Sequence, residues 1–102
     1  MDFGNIRVKT VAVMHHPVKH AFGFVFETVE EKAVISGDTI YCPALIEAAK
    51  GADLLLHEVF IHGEMSQVEG NRTQKTVENV SSYHTLDSVV GKVATDAEVS
   101  CL

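Results

Sequence analysis

The chain predicts an α/β (α+β) fold, a mixed β-sheet with helices on one face. Three observations predict it. Short runs rich in β-branched and aromatic residues, separated by polar turns, fill the first third of the chain. A proline-led helical stretch then connects one buried apolar run to the next. Near the C-terminus the apolar spacing switches to that of a helix. The resulting order is strand, strand, strand, helix, strand, loop, helix, strand, which builds one sheet-plus-helices layer pair.

Each element follows from its residues. Arg7 to Met14 is β-branched and stops at His15-His16-Pro17, because proline disfavours continuation. Phe22 to Val29 alternates, with Phe22, Phe24 and Phe26 on one face of a half-buried strand. Glu30-Glu31-Lys32 is a polar turn, and Ala33 to Ser36 is a short apolar strand broken by Gly37. Pro43 to Lys50 is a helix with Pro at its first turn, Leu45, Ala48 and Ala49 on one side, and Gly51 at its C-cap. Asp53 to Val59 is a buried strand. From Ile61 to Ser82 the pattern is lost, which predicts a long loop with a helical piece in it. Thr85 caps a helix carrying Leu86, Val89, Val90, Val93 and Ala97 at helical spacing, and Val99 to Leu102 begins another strand.

Composition bounds the function classes. With 102 residues there is room for one domain or part of one. Apolar residues are 46% and charged residues 22%, ordinary for a globular chain. The net charge of −6 argues against a bare nucleic-acid-binding surface, which needs cationic groups to displace counterions. It leaves open an RNA held by another part of a longer chain. Cys42 and Cys101 have no metal-binding spacing and read as two free, partly buried thiols, which fits a reducing, cytoplasmic compartment. Met1-Asp2-Phe3-Gly4-Asn5 has neither the basic nor the apolar region of a secretory leader, and no apolar run reaches membrane-spanning length.

The chemistry sits at strand ends. Gly37 lets the chain turn sharply, so the Asp38 carboxylate either projects into a cleft or accepts backbone hydrogen bonds as an Asx-turn. His15 and His16 close the first strand and point to opposite faces, so at most one enters a cleft; the other reading is a surface histidine pair. His57-Glu58 closes a strand and His84-Thr85 opens a helix. A histidine titrates near neutrality, and a carboxylate beside it favours its protonated form. Without further context these are equally a strand-end pair and an exposed helix start. His20 reads as a loop residue near the site mouth, His57 as structural, and His62 carries no role.

Ile35-Ser36-Gly37-Asp38-Thr39, Leu56-His57-Glu58 and Tyr83-His84-Thr85 stand in one order along the chain. Together they resemble the C-terminal half of a metallo-β-lactamase-fold hydrolase, in the branch of ribonuclease Z and the zinc arylsulfatases. The resemblance runs from about Val8 to Leu102. It implies an αββα sandwich, of which residues 1–102 are a partial domain of about one half. The family's His-x-His-x-Asp-His metal motif does not occur here, and neither does its last metal histidine. Val13-Met14-His15-His16-Pro17-Val18 resembles a family stretch whose metal histidine lies two residues before the proline, which selects His15, with His16 as the fallback. The resemblance makes Asp38 a ligand bridging two Zn2+ ions. His-Glu-Val-Phe and Tyr-His-Thr-Leu stand where the family has paired motifs, without the serine of the second. They make His84 the proton donor to the leaving oxygen, with Glu58 orienting it.

The implied activity of a complete enzyme is metal-assisted ester hydrolysis. Three readings of this chain follow. It is a fragment of a ribonuclease Z-like phosphodiesterase acting on RNA 3′ ends, of an arylsulfatase-like hydrolase of small aryl sulfate or phosphate esters, or a truncated non-catalytic chain. The long stretch between the Glu58 and His84 motifs and the short one between His15 and Asp38 lean toward the sulfatase side. The expected partner is an ester substrate, without a membrane, and a homodimer is compatible with it. The fragment alone is expected to be inactive, because too few ligands remain to hold two metals.

Overall fold

The computed structural model describes residues 1–61 and 82–102. Five strands form one sheet in the order β1-β2-β3-β4-β5: β1 Asp2–Phe3, β2 Ile6–His15, β3 Val18–Glu27, β4 Lys32–Ile35 and β5 Leu54–Leu56. Helix α1 is Pro43–Ala48 and helix α2 is Asp87–Ala97. The short β1, which pairs Asp2 with Arg7 and Phe3 with Ile6, was not legible in the sequence. The expected loop between Ile61 and Ser82 lies almost wholly outside the described residues.

β2 and β3 form a long antiparallel hairpin, with Val8 opposite Phe26 and Val11 opposite Gly23. Its register shifts between Val13 and His15, so the strand end that carries the histidines is bent out of the regular ladder. β4 adds antiparallel to β3, and β5 adds parallel to β4. A parallel neighbour requires a crossover, and the segment containing α1 supplies it.

Pleating divides the sheet into two unlike faces. Val25, Val34 and Leu55 point toward the helices and, with Leu45, Ala49, Val93 and Ala97, form the core, each at most 2% exposed. Gly23 lies on that side for lack of room: a Cβ there would meet Leu45 Cδ1 at 3.3 Å and the Ile35 and Ser36 carbonyls at 2.9 Å. Ile6, Phe22, Phe24, Ile35, Leu54 and Leu56 lie 39% to 50% exposed. No described element covers them. The alternation expected of Phe22, Phe24 and Phe26 is present, but the buried side of that strand is the Gly23 and Val25 side. Periodicity tells which residues share a face and not which face is covered.

Two element ends differ from expectation. Thr85 does not cap α2; Leu86 is the N-cap residue and makes no side-chain cap. The Thr85 hydroxyl instead donates to the Thr39 carbonyl at 2.6 Å. Val99 to Leu102 is not a strand, although Ser100 N donates to Ala52 O and Leu55 N to Cys101 O, each at 2.9 Å, along the outer edge of β5. Helix α1 ends at Ala48, with Ala49 as C-cap, and Gly51 follows in the left-handed region at φ +67°. Of the two thiols, Cys42 is buried and Cys101 is exposed.

A polar clamp joins the residues flanking α1 to α2. Tyr41 Oη donates to Asp96 Oδ2 at 2.6 Å, Lys92 pairs with the same carboxylate, and Lys50 Nζ donates to Asp96 O at 2.6 Å. The hydrogen bond from Lys92, and then that from Tyr41, holds the Asp96 carboxyl below its ordinary value. A carboxylate lowered on folding stabilises above its unfolded pKa, and the contribution is lost as pH falls through the folded value. Thermal midpoints of the chain and of Asp96→Asn are therefore expected to differ near neutral pH and to converge in acid, by a modest amount since the pair is solvated. A constant difference down to the lowest accessible pH would contradict the clamp.

Candidate active site

The site forms where β2, the turn after β4, the end of β5 and the start of α2 meet. Residues after β5 run beside those before α2: Phe60 N donates to Thr85 O at 2.7 Å and Asp87 N to Phe60 O at 3.0 Å. This short parallel bridge sets His84 next to Glu58.

Glu58 is the junction. Its Oε1 accepts from Thr39 N at 3.0 Å, from His84 Nδ1 at 2.9 Å and from Thr85 N at 3.2 Å. Its own N–H donates to Ser36 Oγ at 3.0 Å, and that buried hydroxyl donates to Gly37 O at 2.6 Å. Oε1 is thus committed to protein donors from two segments, while Oε2 accepts from none of the described residues. With Nδ1 donating to Glu58, His84 keeps Nε2 for a substrate or an ion.

His15 lies on the other side of His84, their ring centroids 5.0 Å apart. His15 Nδ1 lies 3.0 Å from Tyr83 O, and the ring packs edge-on against Tyr83 at 5.4 Å. A ring that donates from Nδ1 to a carbonyl presents Nε2 as a lone-pair donor, the usual arrangement for a metal-binding histidine. His16 and His20 are exposed and make none of these contacts.

Asp38 sits at the exposed mouth. Gly37 precedes it with φ +62°, and a Cβ there would meet Phe22 O at 2.5 Å, so the turn that aims Asp38 requires glycine. The Asp38 carboxylate has no hydrogen-bond partner among the described residues, so the Asx-turn alternative does not hold. Ligand atoms of Asp38, Glu58 and His84 lie within 4.8 Å of one another. The structure therefore brings together His15, Asp38, Glu58 and His84, but it groups Asp38 with the Glu58–His84 pair and not with His15 alone. Oxygen and imidazole donors of this kind suit zinc. Glu58 Oε1 accepts three hydrogen bonds, so among the described residues the donor atoms left for an ion are Glu58 Oε2, the Asp38 carboxylate, His15 Nε2 and His84 Nε2. His57 Nδ1 donates to the Glu58 carbonyl at 2.7 Å, while its buried Nε2 has no partner among the described residues. Sequence reasoning missed the buried hydroxyls of Ser36, Thr39 and Thr85, all 2% exposed or less. They lie inside or beside the motifs, but their partners are long-range.

A cavity of about 560 Å³ opens beside Asp38 and Glu58. Its walls include Ile35, Leu54, Leu56 and Val59, so the carboxylates stand at the rim of an apolar surface.

Comparisons with known proteins agree with this fold. No family model matches the chain. It is 31% identical over 101 residues to ribonuclease Z of Mycobacterium marinum, covering 99% of this chain and 35% of that protein. It is 41% identical over 59 residues to ribonuclease Z of Ignicoccus hospitalis, covering 58% of this chain and 20% of that protein. Among solved structures it is similar to the metallo-beta-lactamase fold protein YhfI from Bacillus subtilis, with a TM-score of 0.69 and 20% identity over 98% of this chain and 36% of that one. The chain thus spans about a third of the length of the proteins it matches along its whole length.

Proposed function

From a chain that has the metallo-β-lactamase fold and is ribonuclease Z-like along its length, we propose that these residues are the acid-base and part of the metal-binding side of a zinc-dependent phosphodiesterase acting on RNA 3′ ends. The observation that carries the reading is the His84–Glu58 pair within 4.8 Å reach of Asp38. Zinc supplies Lewis-acid activation of water and of the phosphoryl oxygen when bound. His15 and Asp38 would hold it on this side, and the remaining ligands come from residues outside this chain. His84 donates a proton from Nε2 to the leaving oxygen, while Glu58 fixes its ring through Nδ1 and supports the positive charge of the donor form. The two free thiols fit a reducing, cytoplasmic setting. No helix among the described residues is long and apolar enough to cross a membrane.

The test has two arms. The purified chain alone is expected to show no zinc-dependent hydrolysis of bis(p-nitrophenyl) phosphate or p-nitrophenyl sulfate. A longer protein that joins this segment to an upstream His-x-His-x-Asp-His segment is expected to trim a 3′-extended precursor RNA in a zinc-dependent way. Cleavage of the sulfate ester in preference to the RNA would select the arylsulfatase reading, and activity of the short chain would overturn the ligand assignment.

A further inference from the structure

We propose that Thr39 is the positioning residue that holds the four site residues in one geometry. It is 0% exposed, and every polar group it has is used. Its N–H donates to Glu58 Oε1 at 3.0 Å. Its hydroxyl accepts from Met14 N at 3.1 Å and lies within donating distance of Ile40 O, at 2.8 Å, and Met14 O, at 3.2 Å. Its carbonyl accepts from Thr85 Oγ1 at 2.6 Å. Met14 precedes His15, Thr85 follows His84, Asp38 precedes Thr39, and Glu58 is bonded directly. Each proposed site residue is therefore bonded to Thr39 or adjacent in sequence to Thr39 or to a residue bonded to it.

The physical consequence is a fixed spacing between segments that the chain itself does not tie together. The hydroxyl links position 39 to position 14, and the carbonyl links it to position 85. Without these bonds the bent end of β2 keeps the Ile40 N to Met14 O bond and the start of α2 keeps its bridge to Phe60, but the bonds that tie both of them to position 39 are fewer and their relative placement is looser. Proton donation and metal binding both depend on that placement. The catalytic meaning of this arrangement rests on the phosphodiesterase reading, but the arrangement itself does not, and it is tested without activity.

The experiment is long-range 1H–15N NMR of the histidine rings in the labelled chain, which reports the tautomer of each neutral ring. His84 and His15 are expected to be protonated at Nδ1, where Glu58 and the Tyr83 carbonyl accept. Thr39→Val keeps the side-chain volume but loses the hydroxyl, leaving Met14 N–H unsatisfied. It is expected to convert both rings to mixtures of the two tautomers, while the amide signals of Val25 and Val34 stay in place. Thr39→Ser is expected to restore the Nδ1–H form. Retention of the Nδ1–H form by both rings in Thr39→Val, or a Thr39→Ser variant that behaves like valine, would overturn the proposal. Should Thr39→Val not fold, Thr85→Val removes only the bond to the Thr39 carbonyl. It is expected to disturb His84 and spare His15, and an unchanged His84 ring would count against the proposal equally. If the chain passes this test and the longer protein that joins it to an upstream His-x-His-x-Asp-His segment does not cleave RNA, the enzymatic reading is refuted and the positioning role stands.

Discussion

In a longer protein that joins this segment to an intact upstream metal motif, Asp38→Ala is expected to abolish zinc binding and hydrolysis together. His84→Ala is expected to leave the metal content intact and to slow cleavage of an alkoxide leaving group by a factor on the order of 10² to 10⁴. The difference follows from the geometry. The Asp38 carboxylate is exposed and has no hydrogen-bond partner among the described residues, so the role proposed for it is to ligate. His84 is held through Nδ1 by a carboxylate oxygen that two backbone amides also hold, an arrangement that orients a proton donor. A p-nitrophenolate leaving group needs no protonation, so the His84→Ala defect should shrink with bis(p-nitrophenyl) phosphate. Metal analysis alongside rates on both substrates decides it. Loss of zinc in His84→Ala, or equal slowing on both substrates, would make His84 a ligand or a binding group.

Gly37→Val is expected to be the most damaging single change to the fold of the site. Gly37 has φ +62°, which costs an L-residue roughly 1–2 kcal/mol. Its Cβ would also stand 2.5 Å from Phe22 O, a backbone atom in the middle of the sheet that cannot rotate away. Strain and overpacking together should remove about 2–5 kcal/mol, a large share of the stability of a domain of this size. Gly91→Ala is the control. It lies inside α2 with nothing within 4 Å of its Cβ, so it should be neutral or stabilising by up to about 1 kcal/mol. Denaturant unfolding of both variants measures this, and a Gly37→Val chain as stable as its parent would refute the turn argument.

What was legible in the sequence was whatever depends on neighbours along the chain. The β-branched run before His15-His16-Pro17 and the proline-led helix beginning at Pro43 are local signals, and both elements stand within two residues of expectation. The motif residues were legible because strand ends and helix starts bring chemistry to one edge. The choice of His15 over His16 came from the resemblance, and the structure turns His15 toward Tyr83 and His84 while leaving His16 exposed. What was not legible depends on partners far away. Thr85 has the residue type of a helix cap, but a buried carbonyl 46 positions away competed for its hydroxyl. The two strands' worth of hydrogen bonding at Asp2–Phe3 and beside β5 involves residues whose local pattern is too short to register.

The face of Ile6, Phe22, Phe24, Ile35, Leu54 and Leu56, which none of the described elements covers, makes stability a property of the solution as well as of the chain. Whatever lays an apolar layer on that face binds the folded state and not the unfolded one, so folding is linked to its concentration by mass action. At a hundred times its dissociation constant such a layer adds about 2.7 kcal/mol. A melting temperature measured on the isolated chain is for that reason a floor, and it rises with the concentration of the covering surface.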